Sequence, residues 1–249
     1  MQMKAAQDIQ SFVERVRAHD TEFYRDHWGT AQAFGELPPV SREDFRRVPL
    51  SKRRYKNGKA MVKVIRDANG PFLSEWAADD IREELYSVPS KRPMVYLSNA
   101  HESLEKGAWC RLNGMPSLVG EREPEVAAIE AERFRIDSLI TDSTNLPKLR
   151  SYLEGRKEKL ATISVLDTTF DIPTLRTFDA FAHTVRLVLA LPEVGAFAES
   201  TPDAYPRFRV MPNCIVEQNG QALVTKLSDL VTPVIRYRFE CAEPLECTV

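Results

Sequence analysis

The sequence carries no excess of either charge: 34 Lys and Arg stand against 36 Asp and Glu, a formal net charge of −2. No overall field therefore draws the chain to nucleic acid or to an anionic lipid surface. Cysteine is sparse as well. Cys110, Cys214, Cys241 and Cys247 form no CxxC pair, which argues against a secreted disulfide scaffold and for free thiols in a reducing cytoplasm. No segment approaches the roughly 20 apolar residues needed to cross a bilayer. Near the start, Ile9, Phe12, Val13 and Val16 recur at helical spacing, an amphipathic helix rather than a signal-peptide run. There is no internal repeat and no low-complexity tract. No G-x-S-x-G elbow, Walker A loop or G-x-G-x-x-G follows an apolar run, so hydrolase and dinucleotide-binding readings lack support. His101-Glu102-Ser103-Leu104-Glu105 opens like a zincin helix, but Glu105 stands where the second histidine belongs, which leaves a solvated helix start. His19, His27 and His183 fall in helical, charged contexts.

What is present is an ordinary globular composition, 43% apolar and 28% charged, enough for one sizeable core. From Met94 onward short apolar runs alternate with amphipathic segments: Met94 to Leu97, Leu118-Val119, Leu139-Ile140, Ile163 to Leu166 and Leu187 to Leu189. Such runs read as buried parallel strands. Between them Pro124, Pro147 and Pro173 suit first helical turns, the last opening a helix that reaches about His183. Strand and helix alternate, so the expected core is α/β. After Pro202 the pattern turns to short extended pieces, Arg207 to Met211, Cys214 to Glu217, Ala222 to Lys226 and Val234 to Arg238, with an Asn219-Gly220 turn. The expected organisation is a helical segment over 1–60, an α/β core over 61–200 and a β-rich segment over 201–249, within one compact domain. The basic run Lys52-Arg53-Arg54-Tyr55-Lys56 reads as a solvated helix face rather than a phosphate contact.

Several ordered segments carry a resemblance. They are Phe23-Tyr24-Arg25, Ser41 to Phe45 with Val48 to Lys52, the strand Val64-Ile65 running to Gly70-Pro71, Leu187 to Gly195, and Leu223 to Leu227 with Pro233 to Arg238. In that order the chain resembles the phenylacetate-CoA ligase branch of the adenylate-forming (acyl-CoA synthetase and ligase) superfamily. The resemblance implies that family's large-domain fold, a parallel or mixed sheet with flanking helices and a β-rich C-terminal segment. It also implies a nucleotide site at Gly70, Arg236 and Arg238, with Glu193 as a ligand for Mg²⁺ and ATP as co-substrate.

The departures lie where the chemistry is done. Only Gly70 and Pro71 remain of a hydroxyl-rich phosphate loop, and Asp67 would face a triphosphate with a repulsion of about 1 kcal/mol in water and several in a cleft. Leu189 replaces the adenine-stacking aromatic and Pro192 a threonine. Phe239-Glu240-Cys241 stand where threonine, glycine and the ribose-binding aspartate belong, and a thiol offers no pair of charged acceptors. A small lid domain carrying the adenylation lysine is expected to be missing. The expected function is a noncatalytic, degenerate homologue in the cytoplasm that binds an acyl or aryl acid, a nucleotide-like ligand, or a partner protein or second copy. The alternative is an active carboxylate-adenylating ligase using ATP and Mg²⁺. For Glu193 the other reading is a solvated acid, for Arg236 and Arg238 a paired charge on a strand edge, and for Cys241 an inert thiol rather than a nucleophile.

Overall fold

The computed structural model describes residues 2–54, 60–67, 69–77, 90–112, 114–120, 123–218, 221–227, 232–241 and 246–248. Helices α1 (Gln2–Ala18), α2 (Glu22–Trp28), α3 (Arg42–Arg47) and α4 (Leu50–Arg53) come first, then strands β1 (Ala60–Asp67) and β2 (Gly70–Ala77). Strand β3 (Pro93–Tyr96), helix α5 (Ala100–Leu112), strand β4 (Leu118–Val119), helix α6 (Pro124–Phe134) and strand β5 (Ser138–Thr141) follow. Next come α7 (Arg150–Gly155), β6 (Leu160–Asp167), α8 (Ile172–Arg176), β7 (Ala182–Leu191), β8 (Gly195–Ser200) and β9 (Arg207–Val210). The remaining strands are β10 (Cys214–Gln218), β11 (Ala222–Lys226), β12 (Val234–Phe239) and β13 (Glu246–Thr248). The chain divides into two compact units, one of Met1–Asp80 with Met211–Glu240, the other of Ile81–Val210 with Cys241–Val249.

In the first unit the helices pack through an aromatic cluster. Phe23 meets Tyr24 at 4.9 Å and Phe45 at 5.5 Å, and Phe45 meets Tyr237 of β12 at 5.4 Å between ring centroids. Such pairs add about 0.5–1.5 kcal/mol each beyond their buried area. The buried Tyr24 hydroxyl donates to the Pro233 carbonyl. Helix α3 starts with a capping box: Asp44 N donates to Ser41 Oγ at 3.2 Å and Ser41 N donates to the Asp44 carboxylate at 2.8 Å. The sheet runs β10-β11-β12, antiparallel throughout. Val40 adds a single parallel bridge to Tyr237. Strands β1 and β2 form a separate hairpin whose alternation puts Ile65, Phe72 and Ser74 inside and Val62 and Leu73 outside.

The second unit is built on one eight-stranded sheet in the order β13-β9-β8-β7-β6-β5-β3-β4. From β4 to β7 all neighbours are parallel, while β8 runs antiparallel to both β7 and β9. The expected mixed α/β sheet with flanking helices and a β-rich C-terminal segment is what the chain forms. Strands β3 and β5 are buried at every position, β6 at all but two and β7 from Leu187 onward, as strands covered on both faces must be. Gly107 of α5 is needed because a Cβ there would meet Val119 Cγ2 of β4 at 2.6 Å.

Several local expectations are corrected. The helix opened by Pro173 ends with α8 at Arg176 and a 3₁₀ turn over Thr177–Ala180, and His183 lies in β7 rather than on a helix. The basic run is not one solvated face. Lys52 pairs with Glu22, whereas Arg53 is buried, donates to the Leu73 carbonyl at 2.7 Å and lies 5.0 Å over the Phe45 ring. Burial holds the Arg53 guanidinium below its ordinary range, partly offset by the charge of Glu75. Tyr55 and Lys56, the Asn219-Gly220 turn and Ala78-Asp79-Asp80 lie outside the described residues. Glu105 is not a solvated helix position either, being buried beside Lys106 at 3.9 Å.

Candidate ligand site

The residues that the resemblance puts at a nucleotide divide between the two units: Gly70, Arg236 and Arg238 in the first, Glu193 in the second. Gly70 closes the β1–β2 hairpin. It pairs with Asp67 in register, leaving two residues between them, and takes φ +98°, a conformation open to glycine but strained for other residues. Two residues between paired positions can supply at most two backbone N–H groups. A phosphate cradle uses a row of them. The Gly70 carbonyl accepts from Arg46 at 3.3 Å.

Arg236 sits at a bulge. Between Val224↔Tyr237 and Lys226↔Val234 the register shifts, so Ile235 and Arg236 face Thr225 alone, and Arg236 takes φ +50°. Its displaced N–H is captured by Thr225 Oγ1 at 2.8 Å. The guanidinium is engaged within the unit: Nε donates to Glu217 at 3.1 Å, Nη1 donates to the carbonyls of Gly35 (3.0 Å) and Leu37, and the group lies 5.8 Å over the Phe34 ring. Arg238 projects into solvent, and its backbone N–H donates to the Val40 carbonyl at 2.7 Å. Gly70 and Arg236 share no partner among the described residues.

Glu193 lies buried in the turn from β7 to β8, at the carboxyl edge of the parallel strands. That edge is where open α/β sheets bind ligands, at the point where strand order reverses. Here the order β4-β3-β5-β6-β7 reverses between β3 and β5. Asp142, just past β5, ties the two strand ends together: Oδ2 accepts from Ser98 N at 2.5 Å, and Oδ1 from Thr144 N at 3.1 Å and Asn145 N at 2.8 Å. Asp167 ends β6 in the same manner, accepting from Thr168 N at 2.7 Å. Ser98, two residues before α5, and Thr144 are exposed. At the end of β3, burial and then the charges of Glu123, Asp142 and Glu125 push the Tyr96 phenol up, keeping it neutral. The edge thus offers hydroxyls, backbone groups and pinned carboxylates, a set suited to holding a small polar molecule. Among the described residues no three metal-ligating side chains converge. Asp142 and Asp167 were visible in the sequence as Asp followed by Ser or Thr after an apolar run, the mark of an Asx turn. The thiol of Cys241 is half-buried just beyond β12.

No protein-family model and no curated protein matches this sequence. Solved structures do. A 2-hydroxyisobutyryl-CoA ligase, in an open conformation with 2-HIB-AMP and CoA, aligns with TM-score 0.72 and 13% identity over 94% of this chain and 67% of its own. O-succinylbenzoate coenzyme A synthetase from Bacillus subtilis, in complex with ATP and magnesium ion, aligns with TM-score 0.52 and 11% identity over 70% of this chain and 42% of its own. Coronafacic acid ligase from Pectobacterium brasiliense gives 0.50 and 10% over 70% and 41%. The chain therefore spans about two thirds of the first and about two fifths of the others. At these identities the likeness is one of architecture, and the fold of this chain is that of the adenylate-forming acyl-CoA ligases.

Proposed function

We propose that the chain is a noncatalytic, phenylacetate-CoA ligase-like protein of the cytoplasm that holds a small acyl or aryl carboxylate at the carboxyl edge of its parallel strands without adenylating it. The observation that carries this reading is the β1–β2 hairpin, in which Asp67 pairs in register with Gly70 within the segment that the resemblance aligns with a phosphate loop. The engagement of Arg236 by Glu217, Gly35 and Leu37 supports it, because a guanidinium already bonded on two sides has little left for a nucleotide. Ser98 and Thr144 keep their exposed side-chain hydroxyls as donors for a carboxylate, their N–H groups being taken by Asp142.

The test is titration of the purified chain with Mg-ATP and with a panel of aryl and fatty acids by calorimetry, alongside ATP–pyrophosphate exchange. Saturable binding of at least one acid with no exchange and no Mg-ATP heat is the expected result. Robust exchange would overturn it in favour of an active ligase in which Glu193 holds Mg²⁺ and Gly70, Arg236 and Arg238 meet the nucleotide. Absence of binding by every acid would reject the ligand class.

A further inference from the structure

At the opposite, amino edge of β6 and β7, strand register brings a second polar group together. Ser164 pairs with Arg186, Val188 with Glu199, and Glu199 with Arg209, so alternation puts Ser164, Thr184, Arg186, Glu199, Arg207 and Arg209 on one face of the sheet. All of these but Ser164 line a groove of about 590 Å³. Glu199 is its organiser: Oε2 accepts from Arg186 and Oε1 from Arg209. Burial alone would push the Glu199 carboxyl up, but the hydrogen bonds from Arg186 and Arg209, with their charges, bring it below the usual carboxylate range. It is therefore ionised at neutral pH, and it accepts from two guanidiniums at once.

Three arginines surround Glu199 in the groove, and Glu246 of β13 is in register with Arg207 on the same face, so the local balance is 3 − 2 = +1. Arg207 is exposed, and its guanidinium has no partner among the described residues. Ser164, fully buried one position along the same face, has a hydroxyl with no hydrogen-bond partner. A phosphate monoester carries about −1.5 to −2 charges and three acceptor oxygens near neutral pH, and the flat guanidinium fork matches such oxygens two at a time. We propose that this groove is a binding site for the phosphate of a small phosphorylated molecule, gripped by Arg207 and Arg209 with the Thr184 hydroxyl beside them. It is separate from the carboxyl edge, so the two assignments stand or fall independently.

Titration of the full chain with inorganic phosphate at constant ionic strength, against chloride and succinate, tests the assignment. Phosphate is expected to saturate with a Kd of about 1 mM or tighter, and Arg207→Ala to weaken it about tenfold through loss of a charge-assisted bidentate contact. Arg207→Lys, which keeps the charge without the fork, should recover only part of that loss. Acid binding at the carboxyl edge should be unchanged in both variants. No saturable phosphate binding, equal binding by the Arg207→Ala chain, or succinate binding as tightly as phosphate would each overturn the proposal.

Discussion

Replacing Arg236 tests how the first unit is held together. The side chain is mostly buried, as is that of its partner Glu217, at 15% and 20% exposure. Removal takes away three hydrogen bonds to a charged donor, each contributing about 1.5–3 kcal/mol in favourable cases, and strands Glu217, for which breaking a fully buried pair costs about 3–5 kcal/mol. Residual exposure of both partners lowers the estimate for Arg236→Ala to about 2–4 kcal/mol. Backbone geometry makes a sharper statement. At φ +50° an alanine retains a penalty of about 1–2 kcal/mol that glycine escapes, whereas an ordinary strand position favours alanine by about 0.5–1 kcal/mol. Arg236→Gly should therefore be the more stable of the two by about 0.5–1 kcal/mol. The measurement is amide hydrogen exchange at Val40 and Arg238, whose N–H groups bond to Arg236 O at 3.0 Å and Val40 O at 2.7 Å across this junction. Exchange faster by about 30- to 1000-fold in the alanine variant is expected, since each 1.4 kcal/mol is a factor of ten. A change below about threefold, or a glycine variant less stable than the alanine one, would refute the clamp.

Two further outcomes follow from burial and charge. Burial pushes the Cys110 thiol up to about 11, only partly offset by Lys106, so at pH 8 Cys110 and the buried Cys214 should resist a thiol reagent until denaturant is added while the half-buried Cys241 reacts; rapid labelling of Cys110 in the native chain would contradict the packing of α5. Burial alone would raise the Asp137 carboxyl, but hydrogen bonds from Ser90, Lys91 N, Arg92 N and Ser138 hold it below its ordinary value. A depressed carboxyl stabilises the fold above its unfolded pKa, about 3.9 for Asp, and that stability is lost as pH falls through the folded value. Urea midpoints should fall below about pH 4 in the native chain and less steeply in Asp137→Asn; an unchanged acid limb in the variant would remove Asp137 from the account.

The parallel strands were legible because burial on two faces forces continuous apolar runs, and Met94 to Leu97, Ile163 to Leu166 and Leu187 to Leu189 are such runs. Strand β2 was harder to read, although Phe72 and Ser74 alternate with Leu73 and Glu75, because its single serine and aromatic residues give no unbroken apolar signal. Strand β8 hides in Gly195 to Ala198, where Gly195, Ala196 and Ala198 carry little strand propensity and are fixed by pairing with β7. The three-residue β13 depends wholly on its parallel neighbour β9. Long-range placement was beyond any local pattern: nothing near Leu37 announces that its carbonyl will accept from a residue 199 positions away. The groove on β7, β8 and β9 was equally hidden, since Arg186, Glu199 and Arg209 meet only through sheet register.

The segment Arg236-Tyr237-Arg238 shows what a shared motif can and cannot carry. Tyr237 packs on Phe45, Arg236 ties the 34–37 turn to β10, and the Arg238 backbone completes the bridge to Val40. Each of these contacts is explained by folding the first unit, with no ligand required. Phe239, the first departure from the resemblance, has its side chain buried and so serves the same packing, whereas Cys241 lies beyond the last residue of β12. The residues of this segment that carry the resemblance are ones the fold itself uses. Similarity at these positions therefore supports common architecture with the ligases, and the activity has to be judged at the turn after Asp67 and at the carboxyl edge.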